Sequence, residues 1–239
     1  MIKVEHLYKK FGEQVVLNDV SFDVASGDIV TILGPSGTGK TVLLKNIIGL
    51  MPPDKGRVLI DGVDISQLKE DGLLKVRKTM GYLFQEGALY DFLNVFDNVA
   101  FPLREHTSLK AQEITDRVHD VLNMVDLDDV DDKMPSELSG GMKKRVGLAR
   151  AIVLGAKILL CDEPTSGLDP IRSRDISTLI RTVAKKINAA TVITSHDIDN
   201  SFRIADKLVI LNEGRIAAMG PVDQVKAEAQ GFVKEFIRS

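Results

Sequence analysis

Short runs of β-branched and aliphatic residues, broken by glycine and charged turns, alternate along this chain with longer stretches whose apolar residues recur at helical spacing. The first kind predicts strands and the second predicts helices. The opening thirty or so residues carry three strand-like runs, IKVEHLYKKF, VVLNDVSFDV and IVTIL, the last reached through the turn ASGD. A helical run follows and stops at GLMPPDKG, where proline and glycine break it. VLID and MGYLFQ predict two more strands, and the stretch from about Ala88 to Leu154 turns helical, with MPSELSGG in its middle. KILLCDE and TVITSH are continuous apolar runs that end in polar residues, as strands buried in a parallel sheet do. KLVILNEGRIAAMG reads as a hairpin. The order predicts an α/β core interrupted by a helical insertion, with its chemistry gathered at the ends of the parallel strands.

Composition narrows this picture. The 239 residues suffice for one large domain or a core with a subdomain, and 44% hydrophobic content supports a substantial core. A net charge of −3 gives no broad nucleic-acid footprint, so no nucleic-acid partner is expected. The single cysteine, Cys161, lies in an apolar run and suits a reducing compartment. The histidines at 6, 106, 119 and 196 lack metal-ligand spacing. The polar, mixed start MIKVEHLYKK predicts no signal peptide. A long apolar stretch such as AIVLGAKILLC has 11 residues and includes a lysine, whereas a membrane span needs about 20. Any membrane role is expected to come through a partner.

The stretch TILGPSGTGKTVLL is the most informative. A buried strand ends in Gly34, Pro35, Ser36, Gly37, Thr38, Gly39, Lys40 and Thr41, which fits the spacing G-x-x-x-x-G-K followed by Ser or Thr. In such a loop the backbone N–H groups curl around phosphate oxygens, and side chains at the glycine positions would block that approach. The helix that follows points its positive end at the anion. Lys40 can reach the β- and γ-phosphates, and the Thr41 hydroxyl can hold Mg²⁺. An ordinary glycine-rich turn is the competing reading, and the strand before and helix after favour a nucleoside triphosphate.

Four further features bear on the same chemistry. Asp162 and Glu163 end a buried apolar run, which is costly unless a cation or partner compensates. With a phosphate loop upstream, Asp162 is expected to hold Mg²⁺ and Glu163 to polarise the attacking water. A solvated strand end before the turn at Pro164 would leave the same trace. His196 ends TVITSH and can contact the γ-phosphate, although a lone histidine is more often structural. Gln85 ends MGYLFQ and can touch Mg²⁺ or its water; in isolation it reads as an ordinary polar residue. Met142, Val146, Ala149 and Val153 recur at helical spacing, so a helix is expected to start near Gly141. Ser139, Gly140 and Gly141 then form a second anion-binding helix start, or a simple N-cap, with Lys143, Lys144 and Arg145 as a solvated face. One triphosphate needs only one such start from a chain, and a second copy can supply the other.

In combination these motifs resemble the ATPase subunit of an ABC transporter. GPSGTGKT matches Walker A, Gln85 the Q-loop, LSGGM the signature, ILLCDE Walker B, SGLD the D-loop and His196 the switch, in an order that covers nearly the whole chain. The resemblance implies an α/β fold: a P-loop NTPase core with a mixed sheet and flanking helices, an N-terminal antiparallel β subdomain and an inserted α-helical signature subdomain. It implies a single ABC ATPase domain over 1–239, with 1–87 and 156–239 as the nucleotide-binding core and about 88–155 as the helical subdomain. It implies ATP and Mg²⁺ as cofactors, Glu163 and His196 as catalytic residues, and Thr41, Gln85 and Asp162 around the metal. Phe11 matches the aromatic residue that stacks on adenine, a position otherwise read as core packing. Ser139 and Gly141 match positions that contact the γ-phosphate of the opposite subunit, and Asp169 matches the D-loop residue at the dimer interface.

FQEGALYDFLNVFDNVAFPLREHT and LSGGMKKR are similar to a narrower group, the MlaF/Mce-associated branch; Met142 stands where many import ATPases have glutamine. That likeness implies a second copy of the chain as an ATP-sandwich partner, an MlaE-like integral-membrane permease and an MCE-domain substrate-binding protein. It places the chain at the cytoplasmic face of a bacterial inner membrane, driving lipid movement between envelope membranes. No large C-terminal regulatory domain is expected after Gly220, where the chain ends in the helix-like GFVKEFIRS. An ABC importer ATPase for another solute is the alternative. A soluble ABC protein acting on DNA or ribosomes is less favoured, because paired ATPase domains, coiled coils and zinc insertions are lacking.

Overall fold

A computed structural model describes residues 1–238. The chain divides into two compact units, Met1–Arg77 with Ala190–Ser239, and Lys78–Ala189. In the first, strands β1 (Ile2–Phe11) and β2 (Gln14–Val24) form an antiparallel hairpin whose register runs from Ile2↔Val24 to Phe11↔Gln14. Its buried side, with Ile2, Val4 and Leu7 facing Leu17, Val20 and Phe22, explains why both runs alternate. Strand β3 (Ile29–Leu33) is buried at all five positions. Helix α1 (Lys40–Ile47), strands β4 (Lys55–Ile60) and β5 (Val63–Asp64) and helix α2 (Glu70–Arg77) complete this segment. The antiparallel sheet has the order β2-β1-β4-β5.

The second unit contains the parallel pair β6 (Met80–Leu83) and β7 (Ile158–Asp162), in register from Met80↔Ile158 to Leu83↔Cys161. Between these strands lie helices α3 (Val95–His106), α4 (Ala111–Met124) and α5 (Gly140–Ile152), and α6 (Pro170–Lys186) follows β7. Helix α5 lies on β6 at backbone distance. A Cβ on Gly81 would stand 2.3 Å from the Ala151 carbonyl oxygen, and one on Gly147 would stand 3.0 Å from Leu83 Cδ1 and 3.2 Å from Gly87 Cα. The basic run after the signature is not a solvated face throughout. Lys144 is only 5% exposed, and Arg145 donates to the Val125 carbonyl at 2.6 Å and to Asp126 at 2.9 Å. Helical periodicity explains this: Lys144 lies one turn before the buried Leu148, on the same side of α5.

The chain returns to the first unit through β8 (Ala190–Ser195), α7 (Ile198–Ile204), β9 (Lys207–Asn212), β10 (Arg215–Pro221), α8 (Val222–Glu228) and α9 (Gly231–Phe236). Strand β3 pairs in parallel with β8 and β9, and β10 folds back antiparallel on β9, so this sheet is mixed. The closing helices bury Val225 and Val233 against Leu33, Leu208 and Ile210, each such side chain contributing about 1.5–3 kcal/mol when fully buried.

Candidate functional site

In the first unit the glycine loop leaves β3 and opens α1. Gly34 is required by crowding, since a Cβ there would stand 2.6 Å from the Leu211 carbonyl oxygen on β9. Gly37 (φ 81°) and Gly39 (φ 97°) take left-handed backbone that glycine adopts without strain. Gly39 also lies against β2, a Cβ there falling 2.9 Å from the Val16 carbonyl oxygen. Thr38 Oγ1 donates to the Pro35 carbonyl at 2.9 Å and closes the loop around Ser36. Lys40 is 7% exposed, and its Nζ donates to the Gly34 and Pro35 carbonyls at 2.9 and 3.1 Å. Helix α1 has neither a side-chain cap nor an acidic residue in its first turn, so its positive end and Lys40 favour an anion at the loop.

His196 directly follows β8. The register partners Leu33 and Ser195 set Gly34 and His196 at the adjoining exits of two parallel strands. The Ser195 hydroxyl accepts from the Asp197 N–H at 2.9 Å, and Asp197 caps α7 by accepting from Asn200 N at 3.0 Å, which fixes the backbone on both sides of the exposed histidine. Phe11 stands at the end of β1, 46% exposed, with Lys9 Nζ 5.8 Å from its ring centre. It is not a core residue, and it lies on the hairpin whose second strand touches Gly39.

The second unit carries the acidic groups. Asp162 ends β7, 7% exposed, and accepts from the Tyr82 hydroxyl at 3.3 Å. Burial, then the Asp162 charge, pushes the Tyr82 phenol well above its ordinary value, so it stays a donor. Glu163 follows with φ 45°, a left-handed conformation uncommon outside glycine and characteristic of strained functional turns. Gln85 leaves β6 beside that turn, and its amide donates to Ser166 Oγ at 3.1 Å. Ser139 caps α5 by accepting from Met142 N at 3.3 Å. A Cβ on Gly140 would meet Leu168 at 3.4 Å, and one on Gly141 would meet nothing within 4 Å. Asp169 caps α6 by accepting from Ile171 and Arg172 N–H groups at 3.1 and 3.0 Å. The Arg172 N–H bond, opposed in part by desolvation, holds its carboxyl below the ordinary value.

Thus Phe11, Gly34–Thr41 and His196 belong to one unit, and Gln85, Ser139–Gly141, Asp162, Glu163 and Asp169 to the other. Tyr82, Ser166 and Arg150 escape the sequence reading. Arg150 reaches from α5 to the Ala88 and Gly87 carbonyls at 2.8 and 2.7 Å. The one sequence signal near it is Gly147, a mid-helix glycine of the kind that marks close packing.

A glycine loop between a buried parallel strand and a helix, together with an acidic pair ending a second such strand, defines a P-loop nucleoside triphosphatase. The sequence profile of the ABC transporter family matches residues 17–166, and the chain belongs to that family, as an ABC ATPase. It is 43% identical over 236 residues to the probable ribonucleotide transport ATP-binding protein mkl of Mycobacterium leprae, covering 99% of this chain and 68% of that one. The mkl protein of Mycobacterium bovis is spanned to 66%, so the chain covers about two thirds of these mycobacterial relatives. It is 41% identical over 238 residues to the intermembrane phospholipid transport system ATP-binding protein MlaF of Haemophilus influenzae, covering 100% of this chain and 90% of that one. The fold matches a dimeric post-hydrolysis state of the ATP-binding cassette MJ0796 bound to ADP and Pi, with TM-score 0.84, 30% identity, and coverage of 97% and 100%.

Proposed function

We propose that this chain is the ATP-hydrolysing subunit of a bacterial ABC transporter that moves phospholipid between envelope membranes. It acts as a pair of copies on an MlaE-like permease, with an MCE-domain protein carrying substrate. The observation that carries the shared-site part of this reading is Gly141. It needs no unusual φ, and a Cβ there would meet no atom within 4 Å beyond the backbone of its own helix turn. A glycine at an exposed helix start, undemanded by its own fold, suits close approach by a phosphate held elsewhere.

In this reading Phe11 stacks on adenine and Gly34–Thr41 cradle the phosphates. Lys40 exchanges its carbonyl partners for the β- and γ-oxygens, and His196 contacts the γ-phosphate. Glu163 orients the attacking water. Ser139, Gly140 and Gly141 of the second copy close over the γ-phosphate, with Asp169 at the contact between copies. The donor set of Thr41, Gln85 and Asp162 is hydroxyl, carboxamide and carboxylate oxygen, which suits Mg²⁺. When bound, that ion would neutralise the β- and γ-phosphate oxygens. Residues 1–87 and 156–239 act as the nucleotide core and about 88–155 as the helical subdomain of one ATPase domain.

No helix among the described residues is long and apolar enough to cross a membrane. The permease contact is assigned to the exposed aromatic residues Tyr90, Phe92 and Phe101, where Tyr90 lies 5.7 and 5.0 Å from the other two ring centres. The subunit then sits peripherally at the cytoplasmic face of the inner membrane. The phospholipid reading rests on the MlaF relative, which the chain matches over nearly its whole length. The mkl name favours ribonucleotide as the second reading. Purifying the intact complex from membranes and identifying its bound molecules by mass spectrometry tests both. A permease with phospholipid is expected; a permease with ribonucleotide supports the second reading, and recovery on ribosomes or DNA overturns the transporter assignment.

A further inference from the structure

The two residues that turn the loop after Gln85 are held by one side chain of α5. Gly87 (φ 78°) and Ala88 (φ 47°) are consecutive left-handed residues, and for alanine that conformation is unfavourable by itself. Both carbonyls accept from a single guanidinium, Arg150 Nη2 to Gly87 O at 2.7 Å and Nη1 to Ala88 O at 2.8 Å. The guanidinium carbon also lies 5.7 Å from the centre of the Tyr90 ring. Gly147, one turn earlier on α5, has no side chain to keep the helix away from Gly87. On the far side of the loop, Asn98 is fully buried. Its Oδ1 accepts from Tyr90 N at 2.8 Å, and the two N–H groups of its Nδ2 are shared among the Tyr90, Leu93 and Asn94 carbonyls at 3.1, 2.9 and 3.0 Å. The chain from Tyr90 to Asn94 is therefore fixed on α3, and residues 87–88 are fixed on α5.

We propose that Arg150 is the positioning residue of the Gln85 loop: its paired bonds to Gly87 and Ala88 hold the left-handed turn that sets where Gln85 stands. A lysine cannot replace it, because an ammonium lacks the planar fork that reaches two successive carbonyls. The Tyr90 contact makes the same group the link between the exposed aromatic residues and Gln85. That Gln85 position serves hydrolysis rests on the functional reading above.

The test compares wild type with Arg150→Lys and Arg150→Ala in the permease-bound complex. Hydrogen exchange of residues 85–90 should speed up by about tenfold or more while α5 and β7 keep their protection. The turnover number should fall by about 10- to 100-fold with little change in KM for ATP. In a Gln85→Ala background that fall should vanish, because the positioned group is gone. Arg150→Lys retains charge and packing, and serves if Arg150→Ala does not fold. Unchanged exchange at 85–90, or exchange raised everywhere alike, overturns the positioning role. A fall just as large in the Gln85→Ala background overturns the link to Gln85. If Gln85→Ala alone keeps wild-type turnover, the reading of Gln85 fails, and the exchange data still decide what Arg150 holds.

Discussion

The side-chain amide of Gln85 donates to the Ser166 hydroxyl at 3.1 Å, joining the turn that leaves β6 to the turn that follows β7. Ser166 in turn belongs to a tight segment in which its own N–H donates to the Glu163 carbonyl at 3.1 Å. One serine therefore connects Gln85 with the backbone of Glu163, so a shift of either turn is felt by the other. Ser166→Ala removes the side-chain bond and leaves the backbone bond. ATP affinity should stay near wild type, and turnover should fall by a few-fold, the value of one partly exposed hydrogen bond of about 0.5–1.5 kcal/mol. Nucleotide titration and steady-state kinetics separate the two effects, and a weakened affinity with unchanged turnover contradicts the connection.

Glu163→Gln should bind MgATP with near-normal affinity and hydrolyse it at least about 100-fold more slowly, the range associated with losing a positioned general base. The glutamine matches the shape of glutamate and leaves the left-handed turn at φ 45° to the same backbone. The ATP-bound pair of copies should then persist and be seen as a dimer in size-exclusion chromatography. Near-normal turnover of the purified complex assigns the water-orienting role to another group.

Legibility in the sequence followed the range of the interactions. IVTIL, ILLCD and ATVIT announced buried strands because neighbouring residues share one environment, and each of these segments is buried throughout. The phosphate loop was legible for the same reason, since its chemistry lies within eight consecutive residues. Helix α2 left only a weak signal, because it carries three apolar residues, Leu73, Leu74 and Val76, and none of its eight residues is buried. Arg150 was invisible because its partners are carbonyls 62 and 63 residues away, and any residue type supplies a carbonyl. Lys144 misled because charge suggests solvent while helical period places it on the covered side of α5.

Gly81→Ala and Gly147→Ala should both destabilise the fold, the first more than the second. At Gly81 the added carbon would lie 2.3 Å from a backbone oxygen, which can move only with α5. At Gly147 the neighbours stand at 3.0–3.2 Å, and Leu83 Cδ1 is the end of a flexible side chain. Replacing a mid-helix glycine by alanine also gains up to about 1 kcal/mol of helix propensity, which offsets part of an overpacking penalty of about 1–3 kcal/mol. Urea midpoints measured on both variants check the order, and an equal or reversed ranking refutes the packing argument.

Asp169 ties stability to acid pH. Its carboxyl titrates below the ordinary 3.8 in the fold, chiefly through the Arg172 N–H bond. The folded state thus prefers the charged form, and the contribution is complete above 3.8 and disappears as pH falls through the lowered folded value. Asp169→Asn keeps an oxygen for the helix cap but cannot titrate. Wild type should be the more stable of the two at neutral pH, and the difference should shrink toward strongly acid conditions. Denaturation midpoints across that range, without nucleotide, provide the check, and a difference independent of pH contradicts it.

Each ATP site should be shared between two copies, and mixing two inactive variants reveals this. Lys40→Ala damages the phosphate loop, where the ammonium bridges the Gly34 and Pro35 carbonyls. Ser139→Arg places a bulky cation at the exposed start of α5. A dimer of either variant alone has two damaged sites. In a mixed dimer one site combines both lesions. The other combines the intact phosphate loop of the Ser139→Arg copy with the intact helix start of the Lys40→Ala copy. Mixing should therefore restore part of the ATPase activity, measured with the permease present so that dimerisation does not limit it. If every site were built within one chain, no intact site could form and no activity would return. Mixed dimers that bind ATP normally at one site but do not hydrolyse it leave two explanations, unshared sites or turnover that needs both. Paired cysteines placed near Ser139 and near Lys40 distinguish them: ATP-dependent crosslinking between copies supports shared sites, and its absence refutes them.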